Sequence, residues 1–308
     1  MDVIGFGALN LDRIIHVERI PSPGEEIFLN SIHSFPGGSA ANTIAGLAKL
    51  QVPTGFVGKV GDDAEGTELL ESLMYLGVND KGIRVSTGRS GVCMIMVDGR
   101  GERAILADPG VNDSIETRDI ALDYFQNSRI FHMGSFVCRD SHKSLETQKK
   151  LVREIRSMGI KISFDPGHLY ARRAGDIEEL LLNTDMLFIN EAEIGILTGK
   201  GYIDGAKAIL DRGIGTVAVK LGSRGCYVSN ASREFHIPAF ATNAVDTTGA
   251  GDAFNAGFLY AVLNRKSLDE CGRYGNAVAS LCIQKSGARD GLPSKMELSA
   301  FLASANRN

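Results

Sequence analysis

Cysteine is scarce and scattered in this chain. The 308 residues include five cysteines, and no two of them form a C-x-x-C pair. This spacing argues against a disulfide framework and against a zinc site. Dispersed thiols are typical of proteins in a reducing compartment, so we expect a cytoplasmic protein.

Long apolar runs and an excess of basic residues are also absent. No stretch of about 18 apolar residues occurs, and the first residues do not resemble a signal peptide, so we expect no membrane partner. Lysine and arginine total 33 against 37 acidic residues, which gives a formal net charge of -4. This balance argues against a broad basic face, so we expect no nucleic-acid partner. A local basic pocket for a phosphorylated ligand is compatible with it.

The common nucleotide-binding and hydrolase motifs are missing as well. The sequence contains no Walker P-loop, no G-x-S-x-G and no H-E-x-x-H, and Gly5–Asn10 departs from the dinucleotide fingerprint because it ends in asparagine. If the chain binds a nucleotide, another kind of loop must hold the phosphates.

What the sequence does contain is an alternation of apolar runs with amphipathic helical patterns, which predicts an α/β fold. The predicted strands are Val3–Leu9, Gly55–Val60, Ile130–Met133, Ile160–Phe164, Met186–Ile189, Thr216–Lys220 and Cys226–Ser229. The predicted helices are Ala40–Leu50, Glu65–Leu76, Ser141–Met158, Asp204–Arg212, Gly251–Leu263 and Asp269–Lys285. Helices between successive strands predict a central, mostly parallel sheet with helices on both faces. No repeat or linker interrupts the pattern, so we expect a single domain over residues 1–308.

Two stretches depart from the alternation, at about residues 13–35 and 91–107. Both contain short alternating runs, and the second turns at Asp98–Gly101, where the Asp-Gly pair is a hairpin signal. We interpret these stretches as a small β-sheet that projects from the main domain; the alternative is that they are edge strands of the central sheet. Beside a ligand site, a projecting sheet would act as a lid that excludes water.

The segment Val245–Phe254 carries the strongest chemical signal. Gly249, Ala250 and Gly251 let the backbone approach a ligand closely, and the start of the following helix suits the oxygens of a transferring phosphoryl group. Asp252 follows at the mouth of this loop, where it could accept the proton of an attacking hydroxyl. The helix N-terminus favours the ionised carboxylate, so we expect a weak base. A plain helix cap is the alternative reading of Asp252.

A second segment, Pro36–Ala48, places Gly37 and Gly38 before a helix rich in small residues. Tight helix packing explains the small residues, but it explains neither the two glycines nor the polar Asn42 in the first turn. We therefore expect this helix start to contact a ligand.

Together the two segments resemble the signatures of the ribokinase-like (PfkB) carbohydrate kinases. Gly37–Ala48 is similar to the N-terminal signature, and Asp246–Phe254 to the C-terminal one, D-T-x-G-A-G-D-A-F. The order and approximate separation also match, and the resemblance covers nearly the whole chain. It implies a ribokinase-like fold with a β-sheet lid, and transfer of a phosphoryl group from ATP with Mg²⁺, with Asp252 as the catalytic base.

The resemblance also implies roles for residues outside those signatures. Substrate hydroxyls would be held by Asn10, Asp12, Gly37, Gly38 and Asn42. The nucleotide would be lined by Asn190, Lys220, Gly222, Gly225 and Asn276. Glu193 would hold magnesium through water, and Asp165-Pro166, most simply a turn, matches a pair that lies near the substrate in relatives.

A monovalent-cation site for K⁺ would be built from Asp246 and the backbone at Thr248 and Gly287. The chain departs from the best-known ribokinases at Lys220, where they carry threonine, and at Ser39-Ala40, where bacterial ribokinases carry Lys-Gly. The family's lid often serves as the dimer contact as well, so we expect a homodimer.

The acceptor stays open between two classes. The polar side chains of Asn10 and Asp12 favour a sugar or sugar derivative, phosphorylated on a hydroxymethyl group. A nucleoside kinase would need an apolar slot for the base, which Phe28, Ile32 or Met96 could supply. A non-catalytic sugar-binding regulator is a third reading, and the intact Asp252 loop argues against it.

Overall fold

The computed structural model describes residues 1–134 and 143–305. Within them the strands are β1 Val3–Phe6, β2 Asn10–Val17, β3 Leu29–Gly37, β4 Thr54–Gly61, β5 Asn79–Ser86, β6 Gly91–Val97, β7 Arg103–Asp108, β8 Ile130–Met133, β9 Lys161–Phe164, β10 Met186–Asn190, β11 Thr216–Lys220, β12 Cys226–Asn230 and β13 Glu234–Ile237. The helices are α1 Ser39–Lys49, α2 Ala64–Tyr75, α3 Lys143–Ser157, α4 Gly167–Ala171, α5 Ala174–Leu182, α6 Glu191–Thr198, α7 Tyr202–Leu210, α8 Ala250–Leu263, α9 Leu268–Cys282 and α10 Lys295–Ala305.

A nine-stranded sheet forms the centre, in the order β13-β12-β11-β10-β9-β8-β1-β4-β5. The pairs from β5 to β11 are parallel, and the pairs of β12 with β11 and with β13 are antiparallel. Alternate residues of β1 enter different cores: Ile4 and Phe6 pack on one face, and Val3 on the other. Because successive strand residues point to opposite faces, both faces must be covered by helices. The predicted fold class is confirmed.

The two stretches that depart from the alternation, at about residues 13–35 and 91–107, form a separate four-stranded sheet in the order β3-β2-β6-β7. The predicted hairpin turn is present, since the amide of Gly101 donates to the carbonyl of Asp98 at 2.9 Å between antiparallel β6 and β7. The alternative, edge strands of the central sheet, is therefore wrong.

Several predicted boundaries need correction. The first strand ends at Phe6 instead of Leu9, because the chain leaves the central sheet to enter β2. The backbone of Leu9 instead bonds the side chain of Asn112, at 3.0 Å through its amide and 2.9 Å through its carbonyl. The edge strands β5 and β13 were not predicted. Residues 141–142 of one predicted helix lie outside the described residues.

In the part of the chain that the structure describes, no helix combines the length and apolarity needed to cross a membrane.

Candidate active site

Asp252 lies in the first turn of α8, where α8 packs against α1. One carboxylate oxygen, Oδ1, accepts a hydrogen bond from the Ser39 hydroxyl at 2.7 Å, and the other, Oδ2, accepts one from the Asn42 amide at 2.9 Å. The helices can approach this closely because Gly46 faces Ala256; a Cβ at position 46 would lie 2.7 Å from the methyl group of Ala256. The two sequence signatures thus meet, and Asp252 joins them.

The Asp252 carboxylate is a stronger base than expected. Burial raises the pKa of Asp252 to about 6, with a further upward contribution from the Asp165 carboxylate and opposing ones from Asn42, Ser39 and Lys220. The sequence predicts a weak base because the helix N-terminus favours the ionised carboxylate. The predicted weakness is wrong, because desolvation outweighs the helix terminus and raises the pKa. A carboxylate with this pKa is mostly ionised at neutral pH and takes up a proton more readily than a solvated one.

Gly249 and Ala250 also have local structural roles. Gly249 adopts φ +75°, and a Cβ there would lie 2.6 Å from the Cβ of Ala288, so its glycine is required by backbone conformation and packing. The amide of Ala250 donates to the carbonyl of Thr247 at 3.2 Å. The amides of Gly251 and Asp252 are those that the start of α8 leaves without intrahelical acceptors.

Asn10, Asp12 and Gly37 come together at the base of the small sheet. Asn10 and Asp12 are alternate residues of β2 and so share one face. Gly37 lies against Asp12, since a Cβ there would be 2.1 Å from the Asp12 carboxylate. Burial raises the pKa of Asp12 to about 7, and the like charge of Asp252 contributes in the same direction. Gly38 has φ +98° and would place a Cβ 2.2 Å from the carbonyl of Ala8.

Asp252 also borders a cavity of about 390 Å³. Its lining includes the predicted nucleotide residues together with the start of α8: Asn190, Glu193, Lys220, Gly222, Gly225, Gly251, Asp252 and Asn276. The structure therefore brings the predicted nucleotide residues to one place. The side-chain amide of Asn276 donates to the carbonyls of Ile237 and Pro238, at the end of β13, at 3.1 and 3.0 Å.

Lys220 and Asp165 form a buried ion pair inside this cavity. The Lys220 ammonium lies 2.6 Å from Oδ2 of Asp165, and the same oxygen accepts a 2.6 Å hydrogen bond from Asn255. Burial alone would lower the pKa of Lys220, but the carboxylates of Asp165, Glu193 and Asp252 together outweigh burial and raise that pKa. A Cβ at Gly251 would lie 3.2 Å from the ammonium, so Lys220 is directed at the start of α8. Asp165, most simply a turn residue in the sequence, is a buried member of the site.

Glu193 and Asn190 cap the start of α6 reciprocally. The Asn190 side chain accepts from the Glu193 amide at 2.8 Å, and the Glu193 carboxylate accepts from the Asn190 amide at 3.0 Å. Burial raises the pKa of Glu193, with a further contribution from Asp165. Among the described residues, no group of three His, Cys, Asp or Glu side chains could hold a metal ion unaided. A magnesium ion would therefore need most of its oxygen ligands from phosphates and water, which is its usual mode of binding.

The Asp246 carboxylate links two loops through hydrogen bonds. It accepts hydrogen bonds from the amides of Thr248 at 2.8 Å and Gly287 at 2.9 Å. Burial by itself would raise the pKa of Asp246, but these hydrogen bonds outweigh it and lower that pKa. Both predicted backbone partners contribute N–H groups to Asp246, and the monovalent-cation site stays a prediction.

Arg289 is a site residue that the sequence reasoning missed. It lies between α9 and α10, is 7% exposed, and donates to Asn42, Gly37 and Ser72. Asn112 is another, since its amide donates to Oδ1 of Asn10 at 3.0 Å. Neither belongs to a signature segment, so no local pattern indicated them.

The predicted base slot is wrong at two positions. Ile32 and Met96 both pair with Ile15, an odd-numbered residue of β2, whereas Asn10 and Asp12 are even-numbered. Because side chains alternate along a strand, Ile32 and Met96 lie on the opposite face of the small sheet. The third residue, Phe28, is 95% exposed.

Comparison with known proteins agrees with this geometry. The model of the pfkB family carbohydrate kinases matches residues 2–295. This chain belongs to that family. As a family member it is a carbohydrate kinase, a phosphotransferase with an alcohol group as acceptor.

Two relatives and one solved structure illustrate the range of the family. A sugar kinase of Archaeoglobus fulgidus is 46% identical over 82% of this chain and 100% of its own length. The ATP-dependent ribose-1-phosphate kinase of Halopiger xanaduensis is 35% identical over 98% of each chain. The structure of Arabidopsis thaliana ribokinase complexed with ribose and ATP has a TM-score of 0.84, with 28% identity and 98% of each chain covered.

Proposed function

We propose that this kinase transfers the γ-phosphoryl group of ATP to a hydroxymethyl group on a small sugar or sugar derivative, with Asp252 as the general base. The observation that carries this proposal is the position of Asp252. Its carboxylate borders the cavity that Lys220 and Gly251 line, and it is hydrogen-bonded to Asn42 of the substrate segment.

In this mechanism the acceptor hydroxyl lies against the Asp252 carboxylate, and its oxygen attacks the γ-phosphorus in line. The bond from phosphorus to the bridging oxygen breaks, ADP leaves, and the hydroxyl proton passes to Asp252. The pKa of about 6 suits this step, since the carboxylate is free to accept a proton at neutral pH. The amide of Gly251 at the start of α8 and the Lys220 ammonium would stabilise the charge on the transferring group.

Each ligand has protein groups suited to it. Asn10, Asp12, Gly37, Gly38 and Asn42 would hold the acceptor hydroxyls, and Asn190, Lys220, Gly222, Gly225 and Asn276 would surround the nucleotide. Glu193 offers a carboxylate at the cavity wall toward magnesium-bound water. When bound, Mg²⁺ neutralises charge on the phosphates during transfer.

The small sheet would act as a lid over the acceptor. Two contacts across the cleft support this: Arg103 of β7 donates to the Thr247 hydroxyl at 2.8 Å, and the Phe35 ring packs against Gly287. The contacted residues, Thr247 and Gly287, lie in the two loops that meet at Gly249. Exposed apolar residues on β3 and β7, Ile32 and Leu106 among them, suit a homodimer through the lid. We propose one kinase domain over residues 1–308, working in the cytoplasm.

A sugar is favoured over a nucleoside because the described acceptor residues are hydroxyl-binding groups and the proposed base slot is not formed by Ile32 and Met96. ADP release with magnesium should be measured over free sugars, sugar phosphates such as ribose 1-phosphate, and nucleosides. We expect a sugar or sugar phosphate to give the highest kcat/KM. A nucleoside at least tenfold above every sugar would make this a nucleoside kinase, and sugar binding without any turnover would leave a sugar-binding regulator.

A further inference from the structure

Arg289 reaches three partners on separate elements from a buried position. Its Nε donates to Oδ1 of Asn42 in α1, one terminal nitrogen to the carbonyl of Gly37 in β3, and the other to the hydroxyl of Ser72 in α2, each at 2.9 Å. Two of these partners belong to the segment that the proposed function assigns to the acceptor. The guanidinium therefore lies behind the acceptor site and contacts it from within the protein.

The charge of Arg289 is the unusual part of this arrangement. No carboxylate forms an ion pair with it within residues 1–134 and 143–305, although a buried charge is costly unless it is compensated. The carboxylates that act on it at longer range are Asp12 and Asp252. One buried cation thus serves the two carboxylates of the proposed reaction centre. It remains a cation at neutral pH, since burial lowers its pKa only to about 10.

Arg289 also determines which way the Asn42 amide faces. A guanidinium can only donate, so it must bond the carbonyl oxygen of Asn42. The NH₂ group of Asn42 then faces Asp252, whose ionised carboxylate can only accept. Without Arg289 the amide could turn over and present its oxygen to Asp252, which would repel the carboxylate.

We propose that Arg289 is a positioning residue for phosphoryl transfer, which orients Asn42 toward Asp252 and supplies a buried positive charge that favours the ionised forms of Asp12 and Asp252. This inference rests on the proposed function. Asp12 and Asp252 act on each other, and the other charged or titratable groups that act on them are Asp165, Lys220 and Cys282 near Asp252, and Cys93 beside Asp12. They remain in place when Arg289 is replaced, so a change in titration would come from the guanidinium.

The test compares Arg289→Gln and Arg289→Lys with Ser72→Ala, a control that removes the one Arg289 partner outside the acceptor segment. Carboxyl ¹³C NMR, with the Asp252 resonance assigned from Asp252→Asn, measures its titration without any acceptor. We expect the pKa of Asp252 to rise by roughly one unit in Arg289→Gln, to stay near the wild-type value in Arg289→Lys, and to be unchanged in Ser72→Ala.

The same variants are then compared on the best acceptor. In Arg289→Gln we expect kcat to fall at least about tenfold, and the acid limb of its pH profile to move up, with little change in KM for ATP. An unchanged Asp252 titration in Arg289→Gln would overturn the inference. If Arg289→Gln does not fold, Arg289→Lys provides the test, because it keeps the positive charge. A rise of roughly one unit in the pKa of Asp252 in Arg289→Lys would overturn the role of the charge. Absence of turnover in the wild type would count against the proposed function alone, because the NMR titration needs no acceptor.

Discussion

The Lys220 ammonium lies 2.6 Å from Oδ2 of Asp165, with both side chains inside the cavity next to Gly251. Neither residue can be changed alone without leaving a buried charge uncompensated. We expect Lys220→Met to lower the free energy of unfolding by about 3–5 kcal/mol and to abolish measurable turnover. The double variant Lys220→Met/Asp165→Asn should regain most of the stability, by urea denaturation, and none of the activity. Recovery of kcat in the double variant would show that Lys220 is only structural.

Asp252→Asn separates the catalytic role from helix capping. Asparagine is nearly isosteric, so we expect the free energy of unfolding to change by only about 1 kcal/mol. An amide cannot take the hydroxyl proton, so kcat should fall by a factor on the order of 10² to 10⁴. Calorimetry should give a Kd for the acceptor close to that of the wild type. Asp269→Asn, in the first turn of α9, is the matched control and should keep full activity. A loss of less than about fivefold in kcat for Asp252→Asn would make that residue a cap.

The acid limb of kcat/KM should report Asp252 and Asp12. Burial raises their pKa values to about 6 and about 7, and the proposed mechanism uses both as ionised carboxylates. Activity should therefore rise as pH increases through this range and level off above it. In Asp12→Asn only the titration step near pH 6, which belongs to Asp252, should remain. A wild-type profile that is flat down to pH 5 would contradict both assignments.

Asp12 and Asp252 make the stability of the fold depend on pH in the opposite direction to activity. Because their pKa values are raised above the ordinary 3.8, the folded state binds protons more tightly than the unfolded chain. Their contribution to stability is fully present below about pH 4 and is lost as the pH rises through 6 to 7.

Gly249 and Gly251 should respond differently to alanine. At Gly249, φ is +75° and the new Cβ would meet Ala288, so Gly249→Ala should cost at least about 1–3 kcal/mol of unfolding free energy. At Gly251 the nearest atom to the new Cβ is the end of the flexible Lys220 side chain, at 3.2 Å. Gly251→Ala should therefore fold normally and raise KM for ATP or lower kcat. Equal thermal melts for the two variants would contradict this distinction.

Hydrogen exchange tests the lid. Residues 13–35 and 91–107 should exchange more slowly when a good acceptor is saturating, because closure shields the small sheet from water. The α10 helix, which packs on α9 and does not belong to the small sheet, should be unaffected. Unchanged exchange in both stretches would count against closure.

The sequence by itself determined the α/β class, the separate small sheet and the two segments that meet at Asp252. These features are local: hydrophobic periodicity, a hairpin dipeptide, and glycines that a turn or a close helix contact requires. Gly38 and Gly249 illustrate this, since both have a positive φ, a backbone conformation that favours glycine at that position.

The tertiary structure decided the chemistry of the site. Arg289 and Asn42 are 247 residues apart, and Lys220 and Asp165 are 55 apart, so no local pattern reveals that they touch. Burial also raised the pKa of Asp252 and made it a stronger base than the helix start alone predicts, because desolvation depends on everything packed around a carboxylate and not on its neighbours in the chain. Strand register likewise placed Ile32 and Met96 on the face away from Asp12, since a shift of one residue moves a side chain to the other side of a sheet.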